Sequence, residues 1–464
     1  MSRRPPLVIA ADSPEAASAR PVRLVPRDTA LEGPAGVWAK ANGFKGQAWR
    51  LLLCADSSGE LTEALFGTGE TFDPIALRGL AARLPEGLWR LDGLPDGDAD
   101  LATLAFCLGR YAFDRYTKPA QDDGARLVAP DGVDVDRVQD TARSCDLVRE
   151  MVDTPAADMG PLQIETLARE IAEESGAEIS VIEGEALLEA NYPAVHAVGR
   201  AAVAARAPRM IEMHWNRSRT DLPLVALVGK GVVFDTGGLN LKAGAGMRFM
   251  KKDMGGAAHA LGLARMVMRA GLSVRLALLV PAVENAVSGD AFRPGDVLSS
   301  RKGLSIEIGN TDAEGRLILA DALARAGELE PDLTLDFATL TGAARVALGP
   351  DLPPLYTDDE ALAADLLAAS ARVRDPVWRM PLWAPYADSL DSDIADLRND
   401  SAAWAQAGSV TAALFLKNFA PGTGAWAHMD IFAWNPRGRP GWPQGSEVQA
   451  IRACFDMLAA RYPA

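Results

Sequence analysis

The chain has 464 residues, of which 48% are hydrophobic and 23% charged, and its formal net charge is −15. A chain of that length exceeds what one hydrophobic core usually organises, so two domains are expected. The acidic balance argues against a generic binder of nucleic acid or anionic membrane, because phosphate recognition relies on clustered Lys and Arg.

The chain starts Met-Ser-Arg-Arg, but the apolar run behind it, Leu7 to Ala11, is too short for a signal-peptide core. No later run approaches membrane-spanning length. Four widely spaced cysteines (Cys54, Cys107, Cys145, Cys454) form no CxxC pair, which argues against a disulfide framework or a Cys-rich zinc site. A cytoplasmic protein is expected. Trp49–Cys54 and Leu61–Phe66 flank Ser57-Ser58-Gly59 and read as a hairpin. Ile75–Leu84 and Leu101–Tyr111 read as helices. Residues 118–134 are rich in Pro, Gly and Asp and read as a linker. The division is therefore a smaller α/β N-terminal domain with its linker (1–133) and a catalytic domain (134–464).

After the linker, helices and strands alternate. Pro161 suits the first position of a helix carrying Leu162, Ile164, Leu167 and Ile171. Strands are expected at 178–182, 210–214, 224–234, 273–280, 305–308 and 333–338. The 224–234 run is apolar on both faces, as a buried strand should be. The second domain is thus α/β, with a mostly parallel central sheet flanked by helices. Six of the ten tryptophans lie between Trp378 and Trp442 and are expected to pack a substantial surface, chiefly ordinary core.

In such sheets ligands bind beyond the carboxyl ends of the strands. Asp235 closes Val-Gly-Lys-Gly-Val-Val-Phe-Asp, with Lys230 five residues before it and Lys242 seven after. Asp253 precedes Met254-Gly255-Gly256 and a helical pattern reaching about Arg269. In Asn310-Thr311-Asp312-Ala313-Glu314-Gly315-Arg316-Leu317, an extended segment would point Asp312 and Glu314 the same way. Gly315 and Arg316 then open a helix whose first N–H groups favour an anion. Four converging carboxylates carry about −4, which raises pKa values and costs stability. Two divalent cations would neutralise them, and two-metal sites are a standard hydrolytic device. With four histidines in the chain, oxygen-rich ligation fits better than a His-based zinc site. Taken singly, Asp253 reads as a helix cap, Lys230 as a buried ion-pair partner, and Asp312 with Glu314 as a solvated first turn.

Together these motifs resemble the leucyl aminopeptidase family, the two-metal cytosol aminopeptidases. Asn310–Leu317 matches the family's signature octapeptide throughout, and Val228–Lys242 and Met250–Gly256 match with the same intervals. The resemblance spans roughly 145–435, including Asp153-Thr154-Pro155 and Asp336–Ala343, and is weak or absent over the first 110 residues. It implies that Lys230, Asp235, Asp253 and Glu314 hold one metal. Asp235, Asp312 and Glu314 hold the other, with Asp235 and Glu314 bridging. It further implies Lys242 as the lysine that polarises the carbonyl, and Arg316 with Gly315 and Leu340 as holders of a bicarbonate serving as base. Met250, Thr339 and Gly342 correspond to the pocket for the first side chain.

The implied function is removal of the N-terminal residue from unblocked peptides through a metal-bridging water, with two zinc or manganese ions per subunit, in a homohexamer. Ala407-Gly408-Ser409 and the segment Trp442–Glu447 depart from the family's usual Gly-Gly-Thr and Gly/Thr-rich stretches, which bears on side-chain preference. A two-metal phosphoesterase and a catalytically retired scaffold are the competing readings. The first would need more Arg or Lys than Lys242 and Arg316 provide.

Overall fold

The structure is a computed structural model that describes residues 7–117, 124–401 and 403–464. Two compact units divide it. One comprises 1–146 with 437–444, and the other 147–436 with 445–464.

The first unit is built on a six-stranded sheet in the order Val8–Ile9, Ala125–Val128, Gly87–Asp92, Arg20–Pro26, Leu61–Gly69, Leu51–Ala55. All pairings are parallel except the hairpin between the last two strands, which is the one read from the sequence. Val22, Phe66, Leu77, Trp89, Phe106 and Leu127 form its core. The expected helix at 75–84 is a 3-10 turn, Pro74–Leu77, followed by one short helix, Arg78–Ala81. The second expected helix is Ala99–Leu108. Residues 118–123 of the expected linker lie outside the described residues. Its remainder is corrected, because Ala125–Val128 is a strand paired on both sides. Four residues among Pro, Gly and Asp carry too little pattern to betray a strand that long-range pairing creates.

The second unit carries a nine-stranded mixed sheet. Its path runs Trp378–Arg379, Pro354–Tyr356, Ala425–Asp430, Leu333–Ala338, Leu224–Gly229, Arg275–Asn285, Arg209–Trp215, Glu178–Glu183, with Gly231–Asp235 paired to Arg275–Asn285. The central strands are parallel, and antiparallel pairings flank them. Alternate residues of the Leu224–Gly229 strand face two helical layers. Leu224, Ala226 and Val228 pack with the apolar side of helix Gly315–Gly327. Helix Gly255–Arg269 packs on the same strand and on Leu333–Ala338, with helices Pro161–Ser175 and Ile451–Arg461 beside it. As expected, Pro161 opens its helix.

The run 224–234 is not one strand. It breaks at Lys230, whose N–H donates to Phe337 O (3.0 Å) and whose carbonyl accepts from Ala257 N (2.7 Å). Gly229 and Gly256 permit this approach, since a Cβ on Gly256 would lie 2.1 Å from Phe337 O. The break turns the Lys230 side chain out of the ladder. Of the late tryptophans, Trp426, Trp434 and Trp442 are buried, whereas Trp378 and Trp383 are exposed. The four cysteines are buried, and no disulfide joins them.

Candidate active site

Four residues of the site stand at or just beyond the carboxyl ends of central strands: Lys230 after Leu224–Gly229, Asp235 at the end of Gly231–Asp235, Asn285 at the end of Arg275–Asn285, and Thr339 after Leu333–Ala338. Asp253 instead lies in the turn Met250–Met254, and Asp312 and Glu314 follow Ser305–Glu307, a strand of a separate three-stranded sheet. Parallel strands bring their loops to one edge, so residues up to 109 positions apart in sequence meet there. Lys230 Nζ lies 2.8 Å from Asp253 Oδ2 and 2.9 Å from Glu314 Oε1. Lys242 Nζ lies 2.8 Å from Asp235 Oδ2 and 2.5 Å from Asp312 Oδ1. Oxygens of Asp235, Asp312 and Glu314 come within 4.8 Å of one another.

Asp253 does not cap the helix behind it. It belongs to a 3-10 turn, Met250–Met254, and its side chain meets Lys230, Lys252 (3.4 Å) and the Thr339 hydroxyl, which donates to Oδ1 at 2.8 Å. Met250, expected in the substrate pocket, opens that turn. Thr339 touches Asp253, and Gly342 starts the helix Gly342–Leu348 three residues later.

The octapeptide is a turn rather than the expected extended segment. Asn310 Oδ1 accepts Asp312 N–H (2.9 Å), and Glu314 has helical dihedrals directly before helix Gly315–Gly327. The acids converge because the turn and the helix start aim them, not through the two-residue period of a strand. The loop after Asp235 is tied to this turn. Thr311 Oγ1 donates to Gly237 O (2.6 Å) and accepts Asn240 N–H (2.8 Å), which brings Lys242 to Asp312. Gly237 has φ +88°, and a Cβ there would sit 2.5 Å from Asn240 O.

Exposure is graded across the cluster. The side chains of Lys230, Asp253, Glu314 and Asp235 are 3%, 2%, 1% and 3% exposed, against 17% for Lys242 and 32% for Asp312. A ligand therefore reaches the cluster from the Lys242 and Asp312 side. Burial, and then the neighbouring Asp235, push the Glu314 carboxyl up to about 8, while Lys230 opposes the shift. Burial would raise Asp253 too, but Lys230 and Lys252 bring it down to about 2. Burial disfavours charge on both Lys230 and Lys242, yet the carboxylates facing each lysine outweigh it and raise their pKa values.

Four carboxylates face Lys230, Lys242 and, at 3.4 Å from Asp253, Lys252, so with all of them ionised one negative charge remains in excess. Neither Glu314 oxygen accepts a hydrogen bond, and the ion-pair approach of Lys230 is the sole compensation at Oε1 among the described residues. Asp253 Oδ2 and Asp312 Oδ1 likewise accept no aligned hydrogen bond. Buried anionic oxygens without donors suit hard divalent cations.

Arg316 is buried as well. Its Nη1 donates to Asn399 O (2.6 Å), Phe415 lies against the guanidinium, and Nε has no partner. It forms no ion pair among the described residues, and burial lowers its pKa to about 10 although Asp400, Glu314 and Asp430 oppose this. A desolvated guanidinium with a free N–H beside a helix start is chemically suited to an anion. Leu340, the other expected anion contact, donates its N–H to Asp430 Oδ1 (3.0 Å), so an anion there would have to share it.

Sequence reasoning passed over three supports. Asn285 Nδ2 donates to Asp235 Oδ1 (2.8 Å) and Thr311 O (3.1 Å). Asn399 Oδ1 accepts Gly309 and Asn310 N–H, and Asp430 accepts from Leu340, Thr341 and Ser409. Asn285 and Asp430 were findable as polar residues ending apolar strands. Asn399 carries no such signal.

The chain matches the catalytic domain of the cytosol aminopeptidase family over residues 146–453, and the N-terminal domain of M17 aminopeptidases over 28–130. The chain belongs to the cytosol aminopeptidase family. It is therefore a peptidase-type hydrolase, and its N-terminal part, where the motif resemblance is weak or absent, matches the family's own N-terminal domain. A probable cytosol aminopeptidase of Syntrophotalea carbinolica is 36% identical over 93% of this chain and 92% of its own. The crystal structure of the cytosol aminopeptidase from Coxiella burnetii superposes with TM-score 0.91 at 43% identity, covering 98% of this chain and 99% of that one. The bottromycin maturation enzyme BotP, solved in complex with Mn, gives TM-score 0.86 at 33% identity, over 96% of this chain and 99% of that one. No described helix of this cytosol aminopeptidase family member is long and apolar enough to cross a membrane.

Proposed function

We propose that this protein removes N-terminal amino acids from unblocked peptides at the Lys230–Arg316 cluster. The observation that carries the reading is the convergence of Asp235, Asp253, Asp312 and Glu314 around two lysines, with both Glu314 oxygens buried and lacking hydrogen bonds. Lys230, Asp235, Asp253 and Glu314 would hold one divalent ion, and Asp235, Asp312 and Glu314 a second. Lys230 would give up its proton in doing so. The ions, zinc or manganese, supply Lewis-acid polarisation and an activated water near neutral pH. The Mn found in the related BotP supports manganese as one occupant.

Lys242 keeps its proton because Asp235 and Asp312 outweigh the cost of its burial, so it serves as a fixed positive charge rather than a base. Placed on the open side of the cluster, it would stabilise negative charge developing on the substrate carbonyl oxygen. The carboxylates beside it would attract the substrate's free α-ammonium, which accounts for attack at an N-terminus. Arg316, with the helix start at Gly315, would hold a bicarbonate positioned to take up a proton, and Leu340 would border that anion. Met250, Thr339 and Gly342 would line the pocket for the first side chain.

We also infer a homohexamer in the cytoplasm and a boundary near 133/134 between the N-terminal and catalytic domains. The test supplies purified protein with Mn2+ or Zn2+ and compares a free dipeptide, its N-acetylated form and an aryl phosphate. Release from the free dipeptide alone is expected. Failure with every unblocked peptide, or hydrolysis of the aryl phosphate instead, would overturn the reading, and sedimentation velocity separately tests the hexamer.

A further inference from the structure

Gly342 and Arg345 stand three residues apart in helix Gly342–Leu348 and so share one of its faces. Gly342 has no side chain to fill that face. Arg345 Nη2 lies 3.6 Å from where a Cβ on Gly342 would sit, so the guanidinium covers the glycine expected in the first-residue pocket. The guanidinium stacks on Phe432, with Cζ 4.2 Å from the ring centroid, and Lys252 Nζ lies 5.7 Å from the centroid of the same ring. Two cations thus share one ring, and of these Lys252 is buried and already lies 3.4 Å from Asp253.

Among the described residues Arg345 forms no ion pair, and its hydrogen bonding is limited to a long 3.4 Å approach to Thr341 O. The carboxylates that act on it from a distance, Asp430 and Asp253, are each held by other groups. Asp430 accepts from Leu340 N, Thr341 N and Oγ1, and Ser409 Oγ, while Asp253 is paired with Lys230 and bonded by Thr339. A partly buried guanidinium is costly unless a carboxylate or similar acceptor meets its N–H fork. Stacking on Phe432 holds that fork in place at little further entropic cost.

We propose that Arg345 makes the first-residue pocket select an acidic side chain, so that the preferred peptides begin with Asp or Glu. The inference rests on the aminopeptidase reading above and names the substrate class of that site. The side-chain carboxylate of the first residue takes the place of the missing partner, pairing with the Arg345 fork while the scissile bond lies at the cluster.

Competition among Glu-Ala, Asp-Ala, Leu-Ala and Lys-Ala on the metal-loaded protein tests it, read as ratios of kcat/KM. In the parent protein the acidic dipeptides exceed Leu-Ala. In Arg345→Met the Glu-Ala to Leu-Ala ratio falls at least 10-fold, and in Arg345→Glu the order of Glu-Ala and Lys-Ala reverses. Ratios measured within one preparation are unaffected by any loss of folded protein. A parent ratio below one, or a ratio that Arg345→Met leaves unmoved, overturns the proposal. Release of no amino acid from any of the four dipeptides would overturn the aminopeptidase reading itself.

Discussion

At Glu314 and Lys242 the same local chemistry produces opposite protonation tendencies. Glu314 sits where burial and Asp235 both disfavour its charge, and the carboxyl is pushed up to about 8. Lys242 stands on the open side with two carboxylates against its ammonium and stays charged. The Glu314 arrangement does not help the fold: a buried acid without hydrogen bonds costs stability, so its retention points to a ligand. Glu314→Ala and Lys242→Ala are each expected to cut kcat by roughly 10²–10³-fold, the scale of losing one preorganised electrostatic contact. Circular dichroism should stay near the parent's, as should the melting temperature when variant and parent are both measured with chelator. Activity surviving both substitutions would move the active site elsewhere. Gly315 shows how tight the packing is, since a Cβ there would meet Lys230 Cε and Nζ at 2.6 Å.

Helix Gly315–Gly327 carries the octapeptide's end into the site, and its far turn is clasped to the sheet. Arg325 donates from Nε to Glu212 Oε2 (2.9 Å) and from Nη2 to Oε1 (2.8 Å), and His214 Nε2 lies 2.7 Å from the same carboxylate. Burial would raise Glu212, but the hydrogen bonds from His214 and Arg325 prevail and bring it to about 2. A depressed carboxyl stabilises the fold fully above its unfolded pKa of about 4.5, and that contribution disappears as pH falls towards 2. Glu212→Gln is therefore expected to lose about 1–3 kcal/mol at neutral pH. Below pH 4.5 the difference from the parent should shrink, which thermal melts at stepped pH would show. A constant difference down to pH 2 would mean the clasp contributes through packing and not through charge.

For the whole molecule, the excess negative charge at the sheet edge makes stability depend on what neutralises it. Ligands that bind only the folded state stabilise it by about 2.7 kcal/mol at a hundredfold excess over Kd. Chelation is expected to abolish peptide hydrolysis and lower the melting temperature, and Mn2+ or Zn2+ to restore both. Differential scanning calorimetry with and without chelator is the measurement. A melting temperature indifferent to both ions would remove the cluster as a metal site.

Much was legible in the sequence because residue type and short-range spacing are local properties. The motif residues Lys230, Asp235, Lys242, Asp253, Asp312 and Glu314, the Pro161 helix start and the buried central strands could all be read from chain order. Their chemical identity was enough to name the family and the kind of reaction. The tertiary structure decided what depends on distant partners. It broke the 224–234 run at Lys230, where the chain meets Phe337 and Ala257, and it clamped the start of the octapeptide's turn with Asn399. It recruited Asn285, Asn399 and Asp430 as supports, and it laid Arg345 over Gly342 and Phe432. Strand pairing and side-chain approach between segments far apart in the chain leave no periodic trace in either segment alone, so only the folded chain reveals them.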